Sequence, residues 1–153
     1  MIKKEIIVFL LAMAPVSELR GSIPYGISQG ISIPKTIFLS ISGNLLPVIP
    51  LYFFINKILE YLGKFKYTRK FSIWIKNSTR RRSRIIEIYK TIGLIIFVGI
   101  PLPVTGAWTG TISASLIGLT FRNFIIGIIC GVLLACLIVR YCCKNLFDLH
   151  LLE

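Results

Sequence analysis

Apolar residues gather in four blocks along the chain: Ile6–Ile33, Thr36–Ile55, Thr91–Leu119 and Phe124–Val139. The second block is about twenty residues long, the length that carries a helix across the hydrocarbon core. Pro34 and Lys35 end the first block, and Arg122 and Asn123 separate the third from the fourth. Asn44, Pro47 and Pro50 inside the second block predict a kink and one polar group at depth. Blocks of this length and polarity predict an all-α integral membrane protein.

The first and third blocks are interrupted. In the first, Pro15-Val16-Ser17-Glu18-Leu19-Arg20-Gly21-Ser22-Ile23-Pro24 places an acid and a base inside an apolar run. Charges at bilayer depth are costly and normally face a partner or a water-filled cavity. Pro15, Gly21 and Pro24 argue against an unbroken helix, as do Pro101, Pro103 and Gly110 in the third block. These six residues are the expected hairpin breaks. Broken helices survive at depth only where protein or a cavity satisfies the freed backbone.

A shift of 88 residues superposes the halves: Pro15 meets Pro103, Val16 meets Val104, Gly30 meets Gly118 and Gly43 meets Gly131. The predicted order is repeat 1 over about 5–55, a linker over 57–90, repeat 2 over about 91–143 and a tail over 144–153. Matching interrupted segments in two halves point to a transport site between them. Two topologies are open. If each broken segment crosses fully, the chain has four spans, and counting positive charges favours this arrangement. If each broken segment is a re-entrant hairpin, the repeats are inverted and the hairpin tips meet near the midplane.

Composition supports the membrane reading: 55% of residues are hydrophobic, 16% are charged, and mean hydropathy is +0.80. Eighteen Lys and Arg against six Asp and Glu give a net charge of +12. Eleven of those bases lie in 57–90, interleaved with Tyr61, Phe65, Tyr67, Phe71 and Trp74. That places the linker on the cytoplasmic side. The mixture suits an amphipathic helix against anionic lipid headgroups, or equally a solvated loop anchored by aromatics. No nucleic-acid motif accompanies the charge, so nucleic acid is not an expected partner.

Four cysteines cluster at 130–143 without a His or a paired CxxC, so no metal site or disulfide framework is expected. Lys3 and Lys4 precede an apolar run, but no small-residue cleavage site follows, and the segment is read as part of the mature protein. There is no nucleophile–His–acid set, no phosphate-binding GxxxxGK[ST] and no catalytic carboxylate pair, so neither enzyme chemistry nor a cofactor is expected.

The candidate proton or substrate site comprises Glu18, Arg20, Ser22, Asn44, Thr105, Gly106, Trp108 and Thr109. Burial and a nearby Arg can together set a carboxyl's affinity near working pH, which suits Glu18 to carrying a proton. Arg20 suits an anionic headgroup or substrate. The two lie on nearly opposite sides of a continuous helix, so a local ion pair needs a break between Ser17 and Gly21. A half-helix starting near Gly106 would aim free N–H groups into the cavity, and Trp108 could close the cavity by stacking. Gly106 with Gly110, and Gly127 with Gly131, also suit close helix packing.

Glu18-Leu19-Arg20-Gly21-Ser22-Ile23-Pro24 resembles the E-L-R-G-[AS]-I-P signature of the small multi-drug export proteins of archaea and bacteria. Pro101-Leu102-Pro103-Val104-Thr105-Gly106-Ala107-Trp108-Thr109-Gly110 resembles that family's P-x-P-x-T-G-A-W-T-G signature. Both motifs are more distantly similar to the DedA or VTT-domain superfamily, whose members have two facing re-entrant hairpins. That likeness favours the inverted, re-entrant topology over the charge count. The resemblance implies a multi-pass transporter or exporter of a small or amphiphilic solute in a prokaryotic plasma membrane, with proton coupling through Glu18. One alternative is DedA-like translocation of a polyprenyl-phosphate lipid; here the second motif departs from the pattern by lacking an Arg. Another is a non-transport membrane scaffold. So few spans make a small cavity, which leaves room for a homodimer.

Overall fold

A computed structural model describes residues 2–64, 70, 73, 77, 84–100 and 105–150. The described residues form six helices and no strand: α1 (Ile2–Met13), α2 (Glu18–Ser28), α3 (Ile33–Lys64), α4 (Arg84–Gly99), α5 (Ala107–Ile117) and α6 (Phe121–His150). Two short helices and a long one thus occur twice in order.

The long helices carry the apolar spans. Within α3, Ile33–Ile55 is long and apolar enough to cross a membrane, as is Phe121–Asn145 within α6. The 12 residues of α1 and the 11 each of α2 and α5 fall short of the roughly twenty a crossing needs. α1 and α2 pack against each other and onto α3, while α4 and α5 pack onto α6. The halves join where α2 meets α6 and where α3 meets α5 and α6.

Local chemistry explains the boundaries. α1 stops at Met13, just before Pro15, and the Ser17 hydroxyl donates to the Leu11 carbonyl in the last turn of α1. Both hairpins turn into their long helices by one device. Gly30 and Gly118 adopt φ of 74° and 73°, a left-handed conformation that costs glycine no Cβ clash. In each turn the glycine N–H reaches back three residues, to Ile27 and to Ser115. The next N–H, of Ile31 or Leu119, reaches back five, to Gly26 or Ala114.

Several expectations are corrected. Pro47 and Pro50 lie inside α3, which continues as one helix through both. Gly21 and Pro24 lie inside α2, and Gly110 inside α5, so none of the three is a break. A helix at depth tolerates proline where neighbours re-satisfy the freed backbone. Pro15 does sit between α1 and α2, while Pro101 and Pro103 lie outside the described residues. α3 runs on to Lys64 and α4 starts at Arg84, so helix enters both ends of the 57–90 stretch, about half of which lies outside the described residues. α4 breaks at Lys90 (φ 50°, ψ −117°), just before its apolar part.

The core lies between the long helices and the hairpins, around Ile23, Val48, Leu94, Ala114, Phe124, Ile128 and Val132. Small residues set the closest approaches. A Cβ on Gly127 would come 2.7 Å from Leu94 Cδ2, and one on Gly131 would come 2.7 Å from Val98 Cβ. These two glycines therefore let α4 lie against α6, the packing role expected of them. A Cβ on Gly43 would come 3.0 Å from the Ala12 Cβ, so α1 nests on α3 in the same way.

Candidate functional site

The break between α1 and α2 meets the break between α4 and α5. Glu18 opens α2 with φ of 43°, which is uncommon for a residue with a side chain. Its carboxylate, 9% exposed, reaches the first turn of α5, where Oε1 accepts the Trp108 backbone N–H at 3.3 Å. The N-terminus of a helix carries about half a unit of positive charge, so a carboxylate there is favoured. Gly106 makes the approach possible: a Cβ on it would come 2.6 Å from the Glu18 carboxyl carbon.

Arg20, two residues further along α2, completes the joint. Its Nη2 donates to the Thr105 carbonyl, the last residue before the turn into α5. The first motif therefore grips the second through its backbone, the acid on the Trp108 N–H and the base on the Thr105 carbonyl. Among the described residues the only salt bridge is Lys35 with Glu5, at 2.8 Å, so Glu18 and Arg20 are not a local ion pair. Each instead reaches a main-chain group at the start of α5.

Glu18, Arg20, Asn44, Gly106 and Ala107 line a cavity closed by Leu19, Val98, Val132, Ala135 and Val139. Its volume is about 10 Å³, room for one water. Asn44 is 1% exposed, and neither its Oδ1 nor its Nδ2 has a hydrogen-bond partner among the described residues. The Trp108 Nε1 and the Ser22 Oγ are buried and equally unpartnered. The second motif's hydroxyls turn inward on their own backbone: Thr105 Oγ1 donates to Ile100 at 2.9 Å and Thr109 Oγ1 to Gly106 at 3.3 Å. The structure thus brings Glu18, Arg20, Asn44, Gly106 and the Trp108 backbone together, and leaves the two threonine side chains occupied locally.

Sequence reading missed two residues. Thr36 and Ser40 are fully buried, with hydroxyls that find no partner among the described residues. The second block therefore holds three buried polar side chains, not the single Asn44 expected. Their spacing of four, Thr36–Ser40–Asn44, was visible in the sequence and marks one side of a helix.

A second joint lies further along α3. Tyr52 stacks on Phe124 with centroids 4.1 Å apart, and its hydroxyl donates to the Leu119 carbonyl. Ser115 Oγ donates back to the Tyr52 carbonyl at 2.9 Å. At the other end of α3, Lys35 pairs with Glu5 of α1, and Lys4 donates to the Gln29 carbonyl at 3.3 Å.

A family model described as "Putative small multi-drug export protein" matches residues 18–138, a stretch that includes both motifs. No curated protein and no solved structure matches the chain.

Proposed function

The chain belongs to the small multi-drug export protein family, and on that premise we propose that it is an integral membrane exporter of a small or amphiphilic solute, with Glu18 as its proton carrier. The observation that carries this reading is the seat of the Glu18 carboxylate on the N-terminus of α5, beside a cavity lined by Arg20 and Asn44.

The topology that goes with it is an inverted pair of re-entrant hairpins. Three points along α3 support it. Lys35 is tied to the start of α1, Asn44 lies where the two tips meet, and Tyr52 is tied to the end of α5. Lys35 and Tyr52 are about 25 Å apart along a helix, close to the roughly 30 Å of a hydrocarbon core. The hairpins then enter from opposite faces and meet tip to tip. The basic stretch that follows α3 lies on the Tyr52 face, and its charge assigns that face to the cytoplasm. On this reading the host membrane is a prokaryotic plasma membrane, and anionic lipid is the partner of the basic stretch.

The geometry suggests how a proton would act. With Glu18 ionised, the carboxylate holds the α5 N–H groups while Arg20 holds the Thr105 carbonyl, and the tips stay together. A proton on Glu18 removes the charge that α5 attracts and loosens one of the two holds. The tips can then part and admit a solute to the cavity. Such a proton shifts the equilibrium only because it binds the two states unequally.

Proteoliposomes with an imposed pH gradient test this. Wild-type protein should couple efflux of an amphiphilic dye such as ethidium to proton uptake, and Glu18→Gln should abolish the coupling. Proton movement undiminished in Glu18→Gln would reject the carrier role.

A further inference from the structure

Three rungs of paired residues run from one end of α2 and α3 to the cavity. A Cβ on Gly26 would come 2.9 Å from Thr36 Oγ1, which fixes the first rung. One turn further along each antiparallel helix come Ser22 and Ser40, and one turn beyond those come Glu18 and Asn44, both lining the cavity. Residues four apart share a helix side, so 26, 22, 18 and 36, 40, 44 form two facing stripes. Ser32, exposed, continues the α3 stripe outward into the polar turn Ser28-Gln29-Gly30.

The hydroxyls of these rungs behave unlike those elsewhere. In α5, Thr111 and Ser113 donate to the carbonyls four residues back, at 2.6 and 2.8 Å, the usual way to satisfy a hydroxyl in a helix. Ser22, Thr36 and Ser40 do not, and neither polar atom of Asn44 is paired among the described residues. Four unpaired buried polar side chains in one line depart sharply from the usual satisfaction of buried polar groups. Water is the smallest ligand that can pair with all of them, since a buried water makes two to four hydrogen bonds.

The other half seals the same position. Under the 88-residue shift, Thr36, Ser40 and Asn44 correspond to Phe124, Ile128 and Val132, which are all buried, and Ser22 corresponds to Gly110. The rung is the same, because a Cβ on Gly110 would come 3.8 Å from Ile128 Cδ1.

We propose that Thr36, Ser40, Ser22 and Asn44 form a half-channel along which water moves in single file to the one-water cavity and Glu18, from the Lys35 face of the protein only. The packing of Phe124, Ile128 and Val132 closes the equivalent route from the Tyr52 face. Glu18 therefore exchanges protons with one side while the tips are together. This deepens the proposed exporter reading and rests on it for the role of Glu18, but the water file itself does not.

Hydroxyl-radical footprinting tests the file without measuring transport. Ser40→Cys and Ile128→Cys are each introduced into full-length protein in which the four native cysteines are replaced. Radicals are generated from water in place by X-rays, and thiol oxidation is followed by mass spectrometry. The thiol of Ser40→Cys should oxidise about tenfold faster than that of Ile128→Cys, because only the former borders water. Thr36→Cys gives a second measurement on the same stripe should Ser40→Cys fail to fold. Equal rates, whether both slow or both fast, overturn the proposal. If the stripe is wet while Glu18→Gln still couples dye efflux to protons, the carrier role alone has failed. If Glu18→Gln uncouples but the two rates are equal, the half-channel alone has failed.

Discussion

Gly106→Ala isolates the joint between the two motifs. The added Cβ would stand 2.6 Å from both Cδ and Oε1 of Glu18, where ordinary contact begins near 3.4 Å. Oε2 lies nearer still, so the carboxylate must retreat by more than about 0.8 Å to restore van der Waals contact. The Trp108 N–H to Oε1 distance, 3.3 Å in the native joint, then passes beyond hydrogen-bond range. A bond to a charged group contributes about 1.5–3 kcal/mol. At about 2 kcal/mol, the melting temperature of a chain this size falls by about 4–8 °C. Glu18→Asp shortens the acid by one carbon–carbon bond, about 1.5 Å, which makes room for the new methyl group. The double variant should therefore be more stable than the sum of the single effects, by about 1–2 kcal/mol. Any backbone cost of alanine at 106 occurs in both arms of the cycle and cancels. The assay is thermal unfolding in detergent, followed by the loss of monodisperse protein. Additivity within about 0.5 kcal/mol would show that Glu18 does not sit against Gly106 in the folded protein.

Three further outcomes follow from the same geometry. Asn44→Leu replaces two unpaired buried polar atoms with an apolar group of similar size, so stability should hold or rise by up to about 3 kcal/mol while dye efflux is lost; destabilisation would mean Asn44 has a structural partner. Tyr52→Phe keeps the stack on Phe124 but removes the bond to Leu119, and should cost about 1 kcal/mol in thermal unfolding. Gly131→Leu forces a side chain against Val98 and should cost about 1–3 kcal/mol or more, seen as reduced yield of folded protein, whereas Lys35→Ala, which breaks only an exposed pair, should stay within about 1 kcal/mol of wild type.

The helical class and the two spans were legible in the sequence because apolar length is a one-dimensional property: the blocks beginning at Thr36 and Phe124 became α3 and α6. The positions of the breaks were only half legible. Pro15 marks one, but Pro24 and Gly21 were read as breaks and lie within α2. Proline penalises a helix by a few kcal/mol, and packing at depth can offset that, so the residue alone does not decide. Glu18 and Arg20 were identifiable because charge in an apolar run is rare. Their true partners were not, since backbone N–H and C=O groups carry no residue-type signature. Thr36 and Ser40 were passed over because single hydroxyls usually satisfy themselves on their own helix, and only the folded neighbours reveal that these do not.

The grip of the first motif on the second has a bearing on how such a protein can diversify. Glu18 and Arg20 hold main-chain atoms, at Trp108 and Thr105, and they ask of the opposite motif little more than a glycine at 106. Side chains at 108 and 109 could be exchanged without unfastening that joint. A lineage could therefore rework what the cavity accepts while leaving the closing device intact, with selectivity and closure encoded in different atoms of the same turn.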